Sequence, residues 1–246
     1  MSTRIHKPPT LQRWAADWPS WQAQLPLPAE LSRRDVGGVV TDHRTSWVRR
    51  LGESPSEVFV KVYEYKSWGH IARTLGRRTA PWQASRPTRE FDALTWLGAH
   101  GLPAAEPLAV FEWRRFGFVQ KAVLVTRAYP GEPADQVLAG LAPLARCEAA
   151  AAIGRFVARL HALGFRDGNL DLRNLLLRRS EAGWTATKID SPRHRLVRPG
   201  PATDRAARAD WSRLLPQLES LQVADVAREA ATATPSEHPA RRDPQV

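Results

Sequence analysis

The stretch that most constrains this chain runs Leu175 to Arg179, then Ser-Glu-Ala-Gly, then Trp184 to Ile189. Two strand-like runs joined by so short a polar connection form an antiparallel hairpin. Pairing them sets Asn174, just before the first run, opposite Asp190, just after the second. An Asn and an Asp presented together at one hairpin end make a hard-oxygen site suited to Mg²⁺ carrying substrate phosphates. The plainer alternative is a turn Asn and a strand-end Asp bonded only to the backbone.

A second constraint lies upstream in EVFVKVYEY, where Val58, Val60 and Val62 alternate with Phe59, Lys61 and Tyr63. A lysine inside so apolar a strand either snorkels or meets an acid. Phe91, Leu94 and Leu97 then predict a helix that Gly101 and Pro103 stop, with Glu90 in its first turn, where the helix dipole favours an acid. Shorter strand runs are expected at Val39-Val40 and from Ser46 to Leu51, and another from Ala122 to Thr126 ends in a Pro-Gly turn that reads as a linker between lobes. Ile153, Phe156, Val157 and Leu160 have the spacing of a buried helix face, with Gly164 as its stop. Trp211, Leu214, Leu215, Leu218 and Leu221 predict one more amphipathic helix, kinked at Pro216.

A hydrophobic content of 43% is enough for a core, and Lys and Arg total 36 against 25 acids, a net charge of +11. That excess asks for an anionic partner, yet 31 of the cations are Arg, as GC-rich coding alone would produce. Placement is more telling than the total. Residues 61–90 carry +5, residues 155–198 carry +6, and the rest of the chain sums to zero. Both segments would frame a phosphate site. The single Cys147 excludes an internal disulfide and reads as an inert buried thiol of a reducing compartment. The N-terminus lacks the apolar run of a secretory signal, and no window approaches the roughly 18 uncharged apolar residues of a membrane span. A cytoplasmic location is therefore expected, with any contact at the inner membrane's cytoplasmic face being peripheral.

A strand Lys, a helix Glu about thirty residues on, a linker strand, a long helix and an Asn-Asp hairpin follow the order of the protein-kinase-like fold. In VFVKVYEYKSW, REFDALTWLGAHGLPAAEPLAV, VLVTRAYPGEP, RFVARLHALGFRDGNLDLRNLLL and KIDSPRHRL, across residues 39–220, the sequence resembles the lipopolysaccharide kinase (Kdo/WaaP) family. Those bacterial enzymes phosphorylate sugars of the lipid A and inner-core region. The resemblance implies an α+β, two-lobed, protein-kinase-like fold with an abbreviated C-terminal lobe. Residues 1–34 would form a Trp- and Pro-rich extension whose Trp14, Trp18 and Trp21 dock on the body, 35–130 a β-rich lobe, 131–225 a short helical lobe, and 226–246 a disordered tail. It also implies ATP and Mg²⁺ as cofactors, with Lys61 on the α- and β-phosphates, Glu90 paired with it, and Asn174 and Asp190 at the metal. Ser191-Pro192-Arg193 follows Asp190 where protein kinases have Phe-Gly.

The catalytic loop departs from the pattern His-x-Asp, four residues, then Asn or His. Anchored on Asn174, the match sets Asp167 at the His and Asn169 at the catalytic Asp. An amide cannot accept the substrate proton. Either Asp167 or Asp171 serves as base through a shifted loop, which is the leading expectation, or the chain is a nucleotide-binding pseudokinase. The glycine-rich phosphate loop is also missing: Gly37-Gly38 come too early, and the covering turn reads TDHRTS, with Arg44 or Ser46 as helpers. The short stretch after Asp190 leaves no room for a protein-substrate platform and favours an anionic glycolipid or sugar acceptor. A small-metabolite phosphotransferase, with its His-Gly-Asp-x-x-x-x-Asn loop, fits the catalytic residues as closely, and the Lys66-Ser67-Trp68 segment favours the lipopolysaccharide type. A nucleic-acid-binding module, suggested by the charge and ten Trp, lacks any recognisable reader, so no nucleic-acid partner is expected.

Overall fold

The computed structural model describes residues 8–26, 28–32, 38–43, 46–53, 56–65, 83–200 and 202–234. Gly37 and Arg44 lie outside the described residues, as does the segment from Lys66 to Trp68. The chain divides into two compact units, residues 1–95 with 105–129, and residues 96–104 with 130–246.

In the first unit, β1 (Leu11–Trp14), α1 (Trp18–Gln22) and α2 (Pro28–Leu31) precede β2 (Gly38–His43), β3 (Ser46–Leu51) and β4 (Val58–Glu64). Helix α3 (Arg86–Ala99) and strands β5 (Pro107–Arg115) and β6 (Phe118–Arg127) follow. The strands form one antiparallel sheet in the order β1-β5-β6-β4-β3-β2. Residues 11–31 are thus built into the unit rather than attached beside it, because β1 pairs with β5 and supplies an edge strand. Trp18 and Trp21 are buried, whereas Trp14 on that edge is 52% exposed.

Alternation along the strands divides the core between the two sheet faces. Val58, Val60, Val62, Phe111, Val123 and Val125 share a cluster with Trp18, Trp21 and Leu31 of the N-terminal helices. Val110 and Leu124, one residue out of phase, pack with Phe91 of α3. Lys61 also lies out of phase with the valines and is the register partner of Leu124, so it belongs to the α3 face.

In the second unit, β7 (Glu132–Pro133), α4 (Ala134–Gly140) and α5 (Pro143–Ala162) lead to β8 (Phe165–Arg166), a single 3₁₀ turn (Leu172–Asn174) and the hairpin β9 (Leu175–Ser180) and β10 (Gly183–Lys188). Strand β11 (Arg195–Leu196) and helices α6 (Arg205–Glu219) and α7 (Ala224–Thr232) complete it. The hairpin is antiparallel as predicted, with Leu175 opposite Lys188, which carries on to Asn174 opposite Ile189, one residue short of the expected Asp190, and α6 runs on through Pro216. Ile153, Phe156, Val157 and Leu160 are all buried on α5.

Two expectations are corrected. Helix α3 begins at Arg86, so Glu90 stands in its second turn. The earlier start is fixed by Ser85, whose Oγ accepts from Thr88 N at 3.2 Å. The expected tail from residue 226 is a helix as far as Thr232, with Ala224 and Ala227 buried. It packs through small residues, which leave no strong apolar period to read: a Cβ on Gly154 of α5 would lie 2.0 Å from the Ala227 carbonyl oxygen. Residues 235–246 lie outside the described residues.

Candidate active site

The first unit supplies an ion pair. Lys61 Nζ donates to both carboxylate oxygens of Glu90 at 3.0 Å. The Glu90 side chain is only 2% exposed and that of Lys61 21%, so the acid is withdrawn and the ammonium stays reachable. This answers the question posed by the strand: Lys61 meets an acid, and Glu90 is not the exposed first-turn residue that the dipole alone would place. The start of α3 is pinned as well, because Thr88 Oγ1 donates to the buried Glu112 of β5, which also accepts from Arg114 Nε at 2.6 Å.

The second unit gathers the remaining site residues around one hairpin end. Ile189 N donates to Asn174 O at 3.2 Å, which sets Asn174 beside Asp190. Asn174 Nδ2 donates to Asn169 O at 3.0 Å, and Asn169 Nδ2 donates to Asp190 Oδ2 at 2.9 Å. Asn169 therefore links the two expected metal positions. Both amides use their nitrogens in these bonds, and the Asn174 side-chain oxygen and Asp190 Oδ1 are the oxygens of the hairpin end that these bonds do not use. Among the described residues no cluster of three or more His, Cys, Asp or Glu could hold a metal ion. A carboxylate and an amide oxygen suit Mg²⁺, which takes one or two protein oxygens and keeps waters and phosphates for the rest.

The two candidate bases are committed elsewhere. Asp171 caps the 3₁₀ turn, accepting from Arg173 N at 3.1 Å and from Arg173 Nε and Nη2 at 3.0 Å each. Those bonds hold its carboxyl below the ordinary range. Asp167 is fully buried, 3.4 Å from Nζ of the equally buried Lys188. Burial pushes the Asp167 carboxyl up, against the pull of Lys188 and Ser191.

Three residues of this centre were not singled out from the sequence. Lys188 Nζ donates to the Asn174 carbonyl at 3.3 Å and to the Asp190 carbonyl, while its backbone N donates to Pro103 O at 3.0 Å. Asp210 of α6 accepts from Asp167 N at 2.9 Å and from Gly168 N at 2.7 Å. His161 lies 3.1 Å from the same carboxylate, which can only accept, so Nε2 carries the proton. The signal for Asp210 was present: it shares the stripe of Ala207, Leu214 and Leu218, all buried, where an acid needs donors. Lys188 invites the argument already applied to Lys61, a lysine ending a strand beside an acid.

An antiparallel sheet with a Lys-Glu pair to its α3 face, and a unit that presents Asn and Asp at a hairpin end, define a protein-kinase-like fold. The model of the lipopolysaccharide kinase (Kdo/WaaP) family matches residues 32–232, and the chain belongs to that family. A solved structure, "WaaP in complex with acyl carrier protein", is similar with a TM-score of 0.61 and 16% identity, covering 92% of this chain and 90% of that one. A weaker likeness, to the pseudokinase domain of BIR2, an immune regulator of the RLK/Pelle family, has a TM-score of 0.45 and 18% identity over 74% of this chain and 55% of that one. No curated protein matches in sequence. Among the described residues no helix is long and apolar enough to cross a membrane.

Proposed function

We propose that this protein transfers the γ-phosphoryl group of ATP to a sugar hydroxyl of the lipopolysaccharide core or of lipid A-linked sugar. The observation that carries this reading is the pairing of Lys61 with a buried Glu90, which fixes a half-buried lysine whose ammonium can bind the α- and β-phosphates. Asn174 and Asp190 would hold Mg²⁺, which neutralises phosphate charge when bound. In the transfer the bond from the γ-phosphorus to the ADP oxygen breaks and the bond to the sugar oxygen forms. The hydroxyl proton passes to solvent. Phosphoryl transfer depends mainly on position and charge, so a carboxylate base is not obligatory. Asn169 is assigned the role of orienting the hydroxyl, and Asp167 and Asp171 hold the loop that carries it. This differs from a base at Asp167 or Asp171, which would require one of them to leave its cation partner.

A second reading, nucleotide binding without transfer, is favoured by the bond from Asn169 to Asp190, since an amide at that position cannot take a proton. The deciding experiment supplies γ-labelled ATP, Mg²⁺ and core glycolipid to the purified chain. Label in the glycolipid, lost in Asp190→Ala and reduced about 10²-fold in Lys61→Met, supports the kinase. No label with any acceptor, while Mg-ATP still raises the melting temperature, supports the second reading.

A further inference from the structure

Beyond the phosphate-handling residues, the segment that follows Asp190 has an unusual surface. Arg193, Arg195 and Arg198 are exposed, and between them Leu196 is 51% and Val197 39% exposed. No acid occurs between Asp190 and Asp204, and Asp204 is itself bound by Arg166, whose Nη2 lies 2.7 Å from Oδ2. Among the described residues, none of the three arginines forms an ion pair. A single exposed aliphatic residue needs no explanation, but two adjacent ones ringed by three arginines combine the two forces that hold proteins at anionic bilayers.

The segment is fixed by its backbone. Arg195 and Leu196 pair with Arg166 and Phe165, and Val197 N donates to Gly164 O at 2.8 Å. Gly164 has φ +84°, and a Cβ there would lie 2.2 Å from Val197 O, so only glycine permits this approach. The apolar pair is thus presented at little ordering cost. Its start also touches the catalytic loop: Arg193 O lies 3.3 Å from where a Cβ on Gly168, beside Asn169, would sit.

We infer that Arg193–Arg198 is a docking surface for an anionic lipid bilayer, with Leu196 and Val197 entering the headgroup boundary and the three arginines on lipid phosphates. Exposed aliphatic side chains at the centre of the patch gain nothing from nucleic-acid phosphates and no base stacking, whereas a bilayer buries them, which favours the bilayer. The same-sign charge opposes self-association.

The test is co-sedimentation of the full chain, without nucleotide, with vesicles of phosphatidylcholine alone and with vesicles about one-third phosphatidylglycerol. Salt-sensitive partition onto the phosphatidylglycerol vesicles is expected. Arg195→Ser with Arg198→Ser lowers it roughly 25-fold, about fivefold for each arginine. Leu196→Ser with Val197→Ser lowers it roughly tenfold at every salt concentration. Arg178→Ser with Arg179→Ser removes the same charge from the exposed end of β9 and has a smaller effect. The inference fails if the wild type does not bind these vesicles, if the patch variants bind equally well, or if the β9 variant loses as much. It also fails if sedimentation velocity shows a dimer that the Leu196→Ser, Val197→Ser variant dissociates, since the patch would then serve a second copy. Transfer to water-soluble, deacylated core oligosaccharide is unchanged in that variant, so loss of vesicle binding is separable from failure of the kinase reading.

Discussion

Lys188 and Asp167 form an ion pair at 3.4 Å with neither side chain exposed to solvent. The lysine also bonds the carbonyls of Asn174 and Asp190, so one ammonium joins the loop of Asp167 to both residues proposed to hold Mg²⁺. Removing it leaves a buried carboxylate without its cation. Lys188→Met should therefore destabilise the chain by about 3–5 kcal/mol, and Asp167→Asn by less, because an amide remains a partner for the lysine. The double variant should be more stable than the sum of the singles predicts. Urea unfolding of all four proteins measures the cycle, and strict additivity would refute the coupling.

Asn169 donates to Asp190 at 2.9 Å. In Asn169→Asp two carboxylates would face each other at that spacing, and one of them would have to take a proton or a cation. The variant should melt below the wild type in metal-free buffer and recover with Mg²⁺. Phosphoryl transfer should rise with it, since the loop regains a group that accepts the hydroxyl proton. Thermal melts with and without Mg²⁺, beside the labelled-ATP assay, check both halves. A lower melting temperature that Mg²⁺ leaves unchanged would mean that this hairpin end is not a cation site.

The parts legible in the sequence were those with a local period or a local turn. The β9–β10 hairpin could be read because its strands and turn are contiguous, and the Lys61 question because a cation breaks an apolar alternation. The position of Glu90 in its helix was misread because Ser85 and Thr88, which fix the helix start, sit within an arginine-rich stretch that looks like a loop. The helix stripe marks Asp210 as a buried acid, but its partners, backbone N–H groups 42 and 43 positions away, are displayed by no sequence pattern. Helix α7 was missed because it packs through alanine onto a glycine.

Asp204 caps α6 by accepting from Ala206 N and Ala207 N at 2.9 and 3.0 Å, and it also binds Arg166. The Arg166 bonds, followed by those to the helix N–H groups, hold its carboxyl far below the unperturbed 3.8. A carboxyl lowered in the folded state adds stability that is complete above the unfolded value and is lost as pH falls through the folded one. Wild-type stability should therefore decline as pH drops below about 3.8, with Asp171 contributing in the same direction. Asp204→Asn keeps a side chain able to cap the helix but removes the titration. The gap between the urea midpoints of the two proteins should narrow steadily from pH 4 down to pH 2.5, and a constant gap would refute the assignment.

Gly154 sits inside α5, where glycine costs about 1 kcal/mol relative to alanine. The cost is offset by contact, since a Cβ would lie 2.0 Å from the Ala227 carbonyl oxygen and 2.9 Å from its carbon. Backbone cannot yield as a flexible side chain would, so Gly154→Ala must push α7 away. The substitution that stabilises an isolated helix should here destabilise the chain, by about 1–3 kcal/mol, with valine worse than alanine. Hydrogen exchange gives the local readout: amides of α7 should lose protection before those of the β9–β10 hairpin. A raised melting temperature in Gly154→Ala would show that α7 does not rest on α5.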